Sequence, residues 1–195
     1  MITVIELGCA NTASVLFALE RLGAAARLSS DAGDIAAADK VILPGVGAAG
    51  FAMARIHALG LHDTIRALKV PLLGVCLGQQ LLFDSSTEGN VACLGLIPGQ
   101  VTKIAAGKGM VVPHMGWNQI EARRADPLTE GVHDGDFAYF VHSFVCPVSD
   151  HTLAACGYGQ SFAAMVRKDN VWGCQFHPER SSATGARILQ NFVNL

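Results

Sequence analysis

The residues best placed for chemistry lie where a strand-like pattern changes abruptly into a helix-like one. Over residues 72–83 an apolar β-type run ends at Cys76 and an apolar helical pattern follows, with Gly74 and Gly78 on either side of the cysteine. This G-x-C-x-G spacing predicts a nucleophile elbow with cysteine in the serine position. A helix start favours a thiolate, and its free N–H groups can receive an oxyanion. Free cysteine also packs well at such junctions, so the motif alone leaves packing and catalysis open.

His177 and Glu179 are the candidate base and orienting group for that cysteine, because a nucleophile needs both. Pro178 biases His177 toward an extended conformation, and residues two apart in an extended chain point to the same side. Glu179 can therefore reach the imidazole, and we expect Cys76, His177 and Glu179 to form a catalytic triad. The tripeptide H-P-E alone also fits surface residues near a strand end. Its combination with the elbow favours catalysis.

Strand-like and helix-like segments alternate along the first half of the chain. We predict strands over residues 2–7, 26–28, 40–43 and 72–76, and helices over residues 15–22, 51–59 and 61–68. This alternation is typical of βαβ units and a mostly parallel sheet. Active sites of such sheets lie beyond the carboxyl ends of the strands. The segment P-G-V-G at 44–47 and Cys76 each follow a buried strand, so we expect them to face one crevice.

The second half is richer in strand signals. We predict short strands near residues 95–99 and 103–104, a β-run over residues 137–145, a hairpin joining 163–166 to 171–173, and a last helix. Residues 110–118 are apolar but interrupted by Pro and Gly, which indicates more loop than regular structure. The fold class expected is α/β: a single domain over residues 1–195 with a mostly parallel central sheet flanked by helices. An antiparallel strand region is added in the C-terminal half.

Composition narrows the classes of function. Hydrophobic residues make up 51% of the 195 residues, charged residues 15%, and the net charge is −2. The sequence contains no basic run that would favour nucleic acid, and no apolar stretch of membrane-spanning length. The six cysteines form no C-x-x-C pair, which indicates reduced thiols and a cytoplasmic protein. The N-terminus lacks export features, and the histidines lack metal-ligand spacing, so we expect neither a metal nor a cofactor.

The motifs together resemble a known family. P-G-V-G at 44–47, G-V-C-L-G-Q-Q at 74–80 and F-H-P-E at 176–179 are similar to the motifs of class I (triad) glutamine amidotransferases. P-H-M-G-W-N at 113–118, Y-F-V-H-S-F at 139–144 and the valine of P-G-V-G narrow the resemblance to the glutaminase subunits of imidazole glycerol phosphate synthases, in histidine biosynthesis. The resemblance extends from the first strand to the last helix.

The resemblance implies a reaction and roles for the backbone around Cys76. L-Glutamine would be hydrolysed to glutamate and ammonia through a Cys76 glutamyl thioester, with His177 as acid and then base. The N–H of Leu77 would be one oxyanion donor. The N–H of Val46 would be the second, after a peptide reorientation that glycines on both sides make inexpensive.

Further residues would hold the substrate. The resemblance implies that Gln80 and the backbone around Ser143 and Phe144 bind the amino-acid end of glutamine. Gly45 and Gly47, which flank the second oxyanion donor, complete the predicted substrate-binding set. The chain departs from the usual family residues at Glu6-Leu7-Gly8, Gln79 and Phe144, and none of these departures removes a triad member.

The resemblance also implies a partner, the cyclase subunit of a heterodimer, which would receive ammonia. Asn11, His114, Trp117 and Asn118 are the predicted interface residues. Asn11 could equally cap the first helix, and Trp117 could be ordinary core. Two other functions stay open: the glutaminase of a pyridoxal phosphate or anthranilate type complex, and a non-catalytic regulatory subunit of the same fold. The motifs at 44–47 and 113–118 argue against the first, and the complete triad argues against the second.

Overall fold

The computed structural model describes residues 1–8, 11–105, 107 and 109–195. Cys9 and Ala10, in the turn predicted after the first strand, lie outside the described residues. The strands are β1 (Ile2–Ile5), β2 (Ala26–Ser29), β3 (Lys40–Gly45), β4 (Leu72–Cys76), β5 (Phe83–Ser86), β6 (Val91–Ala92), β7 (Ile97–Lys103), β8 (His114–Gln119), β9 (Glu121–Ala122), β10 (Phe137–His142), β11 (Phe144–Val145), β12 (Thr152–Tyr158), β13 (Gln160–Lys168) and β14 (Val171–Cys174). The helices are α1 (Thr12–Arg21), α2 (Ala32–Ala36), α3 (Ala49–Ala58), α4 (His62–Ala67), α5 (Leu77–Leu81) and α6 (Ser182–Asn194). Short 3₁₀ helices span Pro127–Thr129 and Pro178–Arg180.

The central sheet is parallel on one side and antiparallel on the other. Its strand order is β2-β1-β3-β4-β14-β13-β12-β9. The neighbours from β2 to β14 run parallel, whereas β13, β12 and β9 extend the sheet in antiparallel pairs. The predicted fold class, a mostly parallel sheet with an antiparallel C-terminal region, is confirmed.

Helices cover both faces of this sheet. Apolar side chains of α1 and α6, such as Leu19 and Phe192, are packed in one buried cluster with Val4 of β1. Side chains of α2, α3 and α4, such as Met53, join Ile5 of the same strand in a second buried cluster. Successive side chains of a strand point to opposite faces, so the central strands are buried on both sides, which is why they read as continuous apolar runs.

The first half matches the predicted elements closely. Helix α1 begins after Asn11, whose side chain accepts a hydrogen bond from the Ser14 N–H at 3.3 Å. This contact establishes the predicted helix cap, since an N-cap side chain satisfies a free N–H of the first turn. The helical pattern after Cys76 is shorter than its apolar run, because α5 ends at Leu81 and Phe83 already begins β5.

In the second half of the chain the structure differs from several of the predicted elements. The prediction of a loop over residues 110–118 is wrong for residues 114–118, which belong to β8 (His114–Gln119) and pair antiparallel with β10. Pro and Gly suggested a loop, but the partner strand supplies hydrogen bonds that local sequence does not reveal. The short strands expected near residues 95–104 merge into β7, and β12 was not predicted. The predicted hairpin is confirmed as the antiparallel pair β13–β14.

Candidate active site

Cys76 lies at the tip of a turn that only glycine-flanked sequence allows. It ends β4, precedes α5 and has φ 54° and ψ −110°, a conformation rare for a residue with a side chain and typical of strained functional positions. A Cβ on Gly78 would lie 1.8 Å from the Leu43 carbonyl oxygen, and one on Gly74 would lie 2.7 Å from the Gly78 backbone. Both glycines of G-x-C-x-G are therefore required by close backbone approach.

His177 reaches the same place because the sheet puts its strand beside that of Cys76. Strand β14 pairs parallel with β4, with Cys174 opposite Val75, and both strands end at the same edge. Cys76 and His177 line one cavity of about 240 Å³ there. The carbonyl of Val141 lies 3.8 Å from the Cys76 sulfur.

Glu179 orients the imidazole of His177. Its Oε1 lies 2.9 Å from His177 Nδ1, and both side chains are largely buried. The contact agrees with the sequence prediction, but the backbone route differs. His177 is extended, whereas Pro178 starts a 3₁₀ turn that carries the glutamate back toward the ring. The backbone of His177 is held by Tyr139, whose carbonyl accepts its N–H at 3.0 Å.

The environment of His177 favours its charged form. Burial alone disfavours an imidazolium, but hydrogen bonds donated by the ring to Cys76 and Glu179 outweigh it and raise the pKa of His177 to about 10. Because Nδ1 faces Glu179, the bond to Cys76 belongs to Nε2. An opposite charge or a hydrogen-bond acceptor near an imidazole stabilises its proton. The ring is thus set to hold a proton next to the sulfur.

The predicted oxyanion donors border the same cavity. Leu77 is the first residue of α5, where backbone N–H groups lack helical partners, and it lines the cavity with Val46. Val46 is 41% exposed, and Gly47 beside it has φ +94°. Gly45 lies just behind, where an added Cβ would be 3.1 Å from the Leu77 side chain.

Three predicted substrate-binding residues, Gln80, Ser143 and Phe144, also line the cavity and together form its substrate wall. The side-chain amide of Gln80 donates to the Phe144 carbonyl at 3.0 Å and to Gln175 Oε1 at 2.9 Å. The Ser143 carbonyl accepts from Ile104 N–H at 2.9 Å. The wall is therefore held by contacts from separate strands and from α5.

The sequence reasoning missed several residues of the site, among them Glu88 and Gln175. Glu88 lines the cavity, and its Oε2 accepts the Ala49 N–H at the start of α3, at 2.8 Å. Gln175 is fully buried, with its Nε2 3.9 Å from the Cys76 sulfur. Neither belongs to a local pattern that suggests a site. The position of Gln175, two residues before the predicted base, was the one usable signal.

The predicted interface residues divide into two kinds. Trp117 is 52% exposed and stacks edge-on against Tyr139, with ring centroids 5.9 Å apart. Asn11 is exposed and lines a small cavity of about 10 Å³ together with His177. His114, by contrast, is buried, and Asn118 is half-buried with its amide bonded to Gly157. The prediction that His114 faces a partner therefore needs correction, because its ring packs inside the chain.

The other described cysteines lie outside the lining of the catalytic cavity. Burial raises the pKa of Cys93 to about 11 and those of Cys146 and Cys156 to about 12. Burial also raises the pKa of Cys174 well above its ordinary value. A thiol that cannot ionise is a poor nucleophile, so these side chains serve packing. Among the described residues, no group of three or more His, Cys, Asp or Glu is arranged to hold a metal ion, and no helix is long and apolar enough to cross a bilayer.

Comparison with known proteins identifies the family. The model of the family described as glutamine amidotransferase class-I matches residues 4–195. The chain belongs to that family. Within the family, this amidotransferase is 51% identical to imidazole glycerol phosphate synthase subunit HisH of Xanthomonas axonopodis pv. citri (strain 306), over 100% of the chain and 97% of the relative. The HisH subunit of Colwellia psychrerythraea (strain 34H) is 46% identical, over 98% of the chain and 92% of the relative.

Solved structures share the fold at lower identity. A crystal structure of a glutamine amidotransferase superposes with a TM-score of 0.77 at 21% identity, covering 99% of this chain and 97% of the other. The structure of PurLQS from Thermotoga maritima superposes with a TM-score of 0.73 at 20% identity, covering 99% and 97%. The resemblance to class I glutamine amidotransferases, and within them to HisH subunits, is confirmed.

Proposed function

We propose that this amidotransferase is the glutaminase subunit of an imidazole glycerol phosphate synthase in histidine biosynthesis. It hydrolyses L-glutamine to L-glutamate and ammonia. The ammonia passes to a cyclase subunit, which forms imidazole glycerol phosphate and aminoimidazole carboxamide ribonucleotide. The full-length identity to HisH subunits supports the assignment. The free, buried thiols suit a reducing compartment, so we also propose the cytoplasm as its location.

One observation carries the proposal: a strained cysteine elbow and the histidine of a buried His–Glu pair line one cavity. Cys76 is the nucleophile, His177 the proton carrier and Glu179 its orienting group. A packing role makes no demand for positive φ at Cys76, and such strain persists where the surroundings enforce it. Catalysis therefore accounts for the elbow better than packing does.

The first chemical step forms the thioester. The Cys76 sulfur attacks the side-chain carbonyl carbon of glutamine, and the carbonyl oxygen becomes an oxyanion. Leu77 N–H at the start of α5 and Val46 N–H stabilise this charge, each donor being worth about 3–4 kcal/mol in the transition state. The proton held on His177 Nε2 moves to the departing nitrogen, which leaves as ammonia,.

The second step frees the enzyme. Neutral His177 takes a proton from water, which attacks the glutamyl thioester carbon, and the sulfur leaves as glutamate is released. The Glu179 contact at Nδ1 keeps Nε2 turned toward the reacting atoms in both steps. Because one ring nitrogen is fixed, the same imidazole serves as acid and then as base.

The substrate is held by the substrate wall of the cavity. Gln80 Oε1 and the backbone of Ser143 and Phe144 face the amino-acid end of glutamine. We add Glu88 to the predicted set, because its carboxylate lines the same cavity and suits an α-ammonium group,. Gly45 and Gly47 give the Val46 peptide the freedom to turn toward the oxyanion.

The cyclase partner would cover the ribbon formed by β8 and β10. Met115, Trp117 and Phe137 are 63%, 52% and 52% exposed on the outer face of that ribbon. An exposed apolar patch of this kind is typical of a protein interface. Asn11 at the α1 start lies beside the same catalytic pair. Ammonia released next to His177 would then emerge against the partner rather than into bulk water.

Glutamate release tests both parts of the proposal. The chain is assayed alone, then with a candidate cyclase, and then with the cyclase and its ribonucleotide ligand. We expect strong release only in the full mixture. Cys76→Ala lowers release by at least about 10⁴-fold, since the thioester cannot form. Cys156→Ala, at a buried thiol of β12 outside the cavity, is the matched control and keeps wild-type rates.

Two results would contradict the proposal separately. Release that no cyclase or ligand alters would remove the coupled-subunit role and leave a free-standing glutaminase. Release that survives Cys76→Ala would remove the thioester mechanism and leave the partner question open.

A further inference from the structure

Two buried histidines, His142 in the lining of the glutamine cavity and His114 next to it, form a continuous hydrogen-bonded chain. His114 Nδ1 lies 2.9 Å from His142 Nε2. His142 Nδ1 lies 2.9 Å from the Phe144 carbonyl oxygen. At the other end, Asn118 Nδ2 lies 3.3 Å from His114 Nε2. The His114–His142 pair thus connects a strand of the exposed ribbon to the backbone of the glutamine cavity.

The hydrogen bond to the Phe144 carbonyl fixes which ring nitrogen of each of the two histidines carries a hydrogen. A carbonyl oxygen only accepts, so His142 Nδ1 carries a hydrogen and donates it,. In a neutral imidazole the other nitrogen is then an acceptor, so His142 Nε2 accepts from His114 Nδ1. His114 Nε2 is left as an acceptor, facing Asn118.

The Asn118 end leads independently to the same assignment. Asn118 Oδ1 accepts the Gln119 N–H at 2.8 Å, and Nδ2 donates to the Gly157 carbonyl at 3.0 Å. These two backbone partners fix which end of the amide is oxygen and which is nitrogen. Asn118 therefore presents an N–H to His114 Nε2. A second proton on either ring would set two donors against each other, so both rings are neutral.

The surroundings preserve this neutral state. His114 stacks on Tyr158 and Phe140, with ring centroids 4.0 Å and 5.0 Å away. His142 packs edge-on against Phe162 at 5.0 Å. Burial lowers the pKa of both histidines to about 4; at His142 the Phe144 carbonyl opposes this effect, and the nearby rings of His114 and His177 add to it. Aromatic walls hold the rings in place without supplying a charge that would attract a proton.

We propose that the His114–His142 pair is a positioning device for glutamine binding, with both rings neutral and protonated at Nδ1. The pair acts on the cavity through the Phe144 carbonyl, which accepts hydrogen bonds from His142 Nδ1 and from Gln80 Nε2, the latter at 3.0 Å. Two donors on one carbonyl fix the Phe144 backbone and the Gln80 amide together. The inference rests on the proposed function, because it takes glutamine as the occupant of this cavity.

The hydrogen bonds of the pair go to the Phe144 carbonyl and to Asn118, and not to the triad, so its loss affects binding more than chemistry. An interaction made equally in the ground and transition states changes KM and leaves kcat nearly constant. A merely structural role predicts the reverse pattern, a smaller folded fraction with unchanged KM.

The first measurement is the tautomer of each ring, by ¹⁵N NMR of histidine-labelled full chain at neutral pH. We expect His114 and His142 to carry hydrogen at Nδ1, the less common tautomer in water, and His177 to be an imidazolium. Signals are assigned with His114→Phe and His142→Phe. An Nε2–H tautomer or an imidazolium at either His114 or His142 would overturn the proposal.

The second measurement is glutaminase kinetics of a matched series, in the complex that gives wild-type activity. His142→Phe keeps a ring but loses both hydrogen bonds, and we expect KM for glutamine to rise about tenfold with kcat within about twofold. His142→Asn places an amide N–H near the position of Nδ1, and we expect partial rescue, to within about threefold of wild-type KM. Exposed His133→Phe is the control and keeps wild-type KM.

The two proposals fail in different ways. If wild-type protein releases no glutamate under any condition, the proposed function fails, while NMR still decides whether the proton order is right. If wild-type protein is active and His142→Phe leaves KM unchanged, the positioning role fails while the glutaminase remains. Should His142→Phe not fold, the tautomers of His114 and His142 in the wild-type protein decide the proposal.

Discussion

Two histidine regions border the same cavity, and their protons behave in opposite ways. The pKa of His177 is raised to about 10, whereas those of His114 and His142 are lowered to about 4. All three rings are largely buried. Burial alone opposes charge at each of them. The difference therefore comes from the hydrogen-bond partners.

The partners differ in charge and in direction. His177 lies between a carboxylate and a sulfur, and both stabilise an added proton. The His114–His142 pair lies between an amide N–H and a carbonyl, with room for one proton per ring. His177 can therefore gain and transfer a proton, whereas each ring of the His114–His142 pair keeps one proton on a fixed nitrogen. Catalysis and substrate positioning use the same residue type because its state is set by two neighbours.

Replacing Glu179 with Gln should have the largest effect on this contrast. The amide leaves the volume intact but removes the negative charge that holds the His177 proton. We expect kcat to fall by about 10²–10⁴-fold, as loss of the orienting carboxylate does in related triads, and the His177 pKa to fall. Glutamate release and ¹⁵N NMR measure the two effects. Equal activity in Glu179→Gln and wild type would show that the carboxylate is not needed.

Stability should respond to pH with opposite signs in the two regions. Since the folded pKa of His177 lies above the ordinary value of 6.5, its contribution is complete below pH 6.5 and is lost as pH rises toward 10,. Since the folded pKa values of His114 and His142 lie below 6.5, the unfolded chain takes up protons first, and stability falls between pH 6.5 and about 4,.

The loss of stability below pH 7 can be measured directly. Between pH 7 and pH 5 we expect the free energy of unfolding to fall by on the order of 2 kcal/mol for each of the paired rings. Urea denaturation at the two pH values measures this loss. The double variant His114→Phe and His142→Phe should flatten this loss, and His133→Phe should not. A double variant that retains the full wild-type loss would place the acid sensitivity elsewhere.

The smallest expected effect comes from a substitution that gives His114 a carboxylate neighbour, as His177 has. Asn118→Asp puts a carboxylate beside His114 Nε2 in place of an N–H donor. We expect the His114 pKa to rise by about 1–3 units, while its Nδ1–H still donates to His142. Titration by ¹⁵N NMR measures the shift, and Asn118→Leu is the uncharged control. A His114 pKa that stays low in Asn118→Asp would mean that burial and not the partner sets it.

The sequence supported the fold and the triad because both depend on local rules. The G-x-C-x-G motif indicates a turn that larger side chains cannot form. The structure shows why, because Gly78 packs against the backbone of Leu43. The alternation of apolar strands with helices follows from burial of the sheet on both faces. The strand at His114–Gln119 escaped prediction because its pairing with Phe137–His142 comes from a distant segment.

The roles of single residues were harder to predict. Phe144 departs from the usual family residue, yet the contacts described here run through its backbone carbonyl, which any residue supplies. His114 was assigned to a surface because its motif pointed to a partner, but alternation along β8 turns it inward while Met115 and Trp117 face outward. A motif identifies which residues matter, while the direction of each side chain depends on pairing and register.

By itself, the sequence determined the nucleophile turn, the His177–Glu179 pair and the class I amidotransferase family. Only the tertiary structure decided that β14 lies beside β4, which brings His177 to Cys76. The same is true of the proton order in the His114–His142 pair. The physical reason is that turn sterics act over a few consecutive residues, whereas charge state and proton direction depend on partners that the sheet brings together from distant parts of the chain.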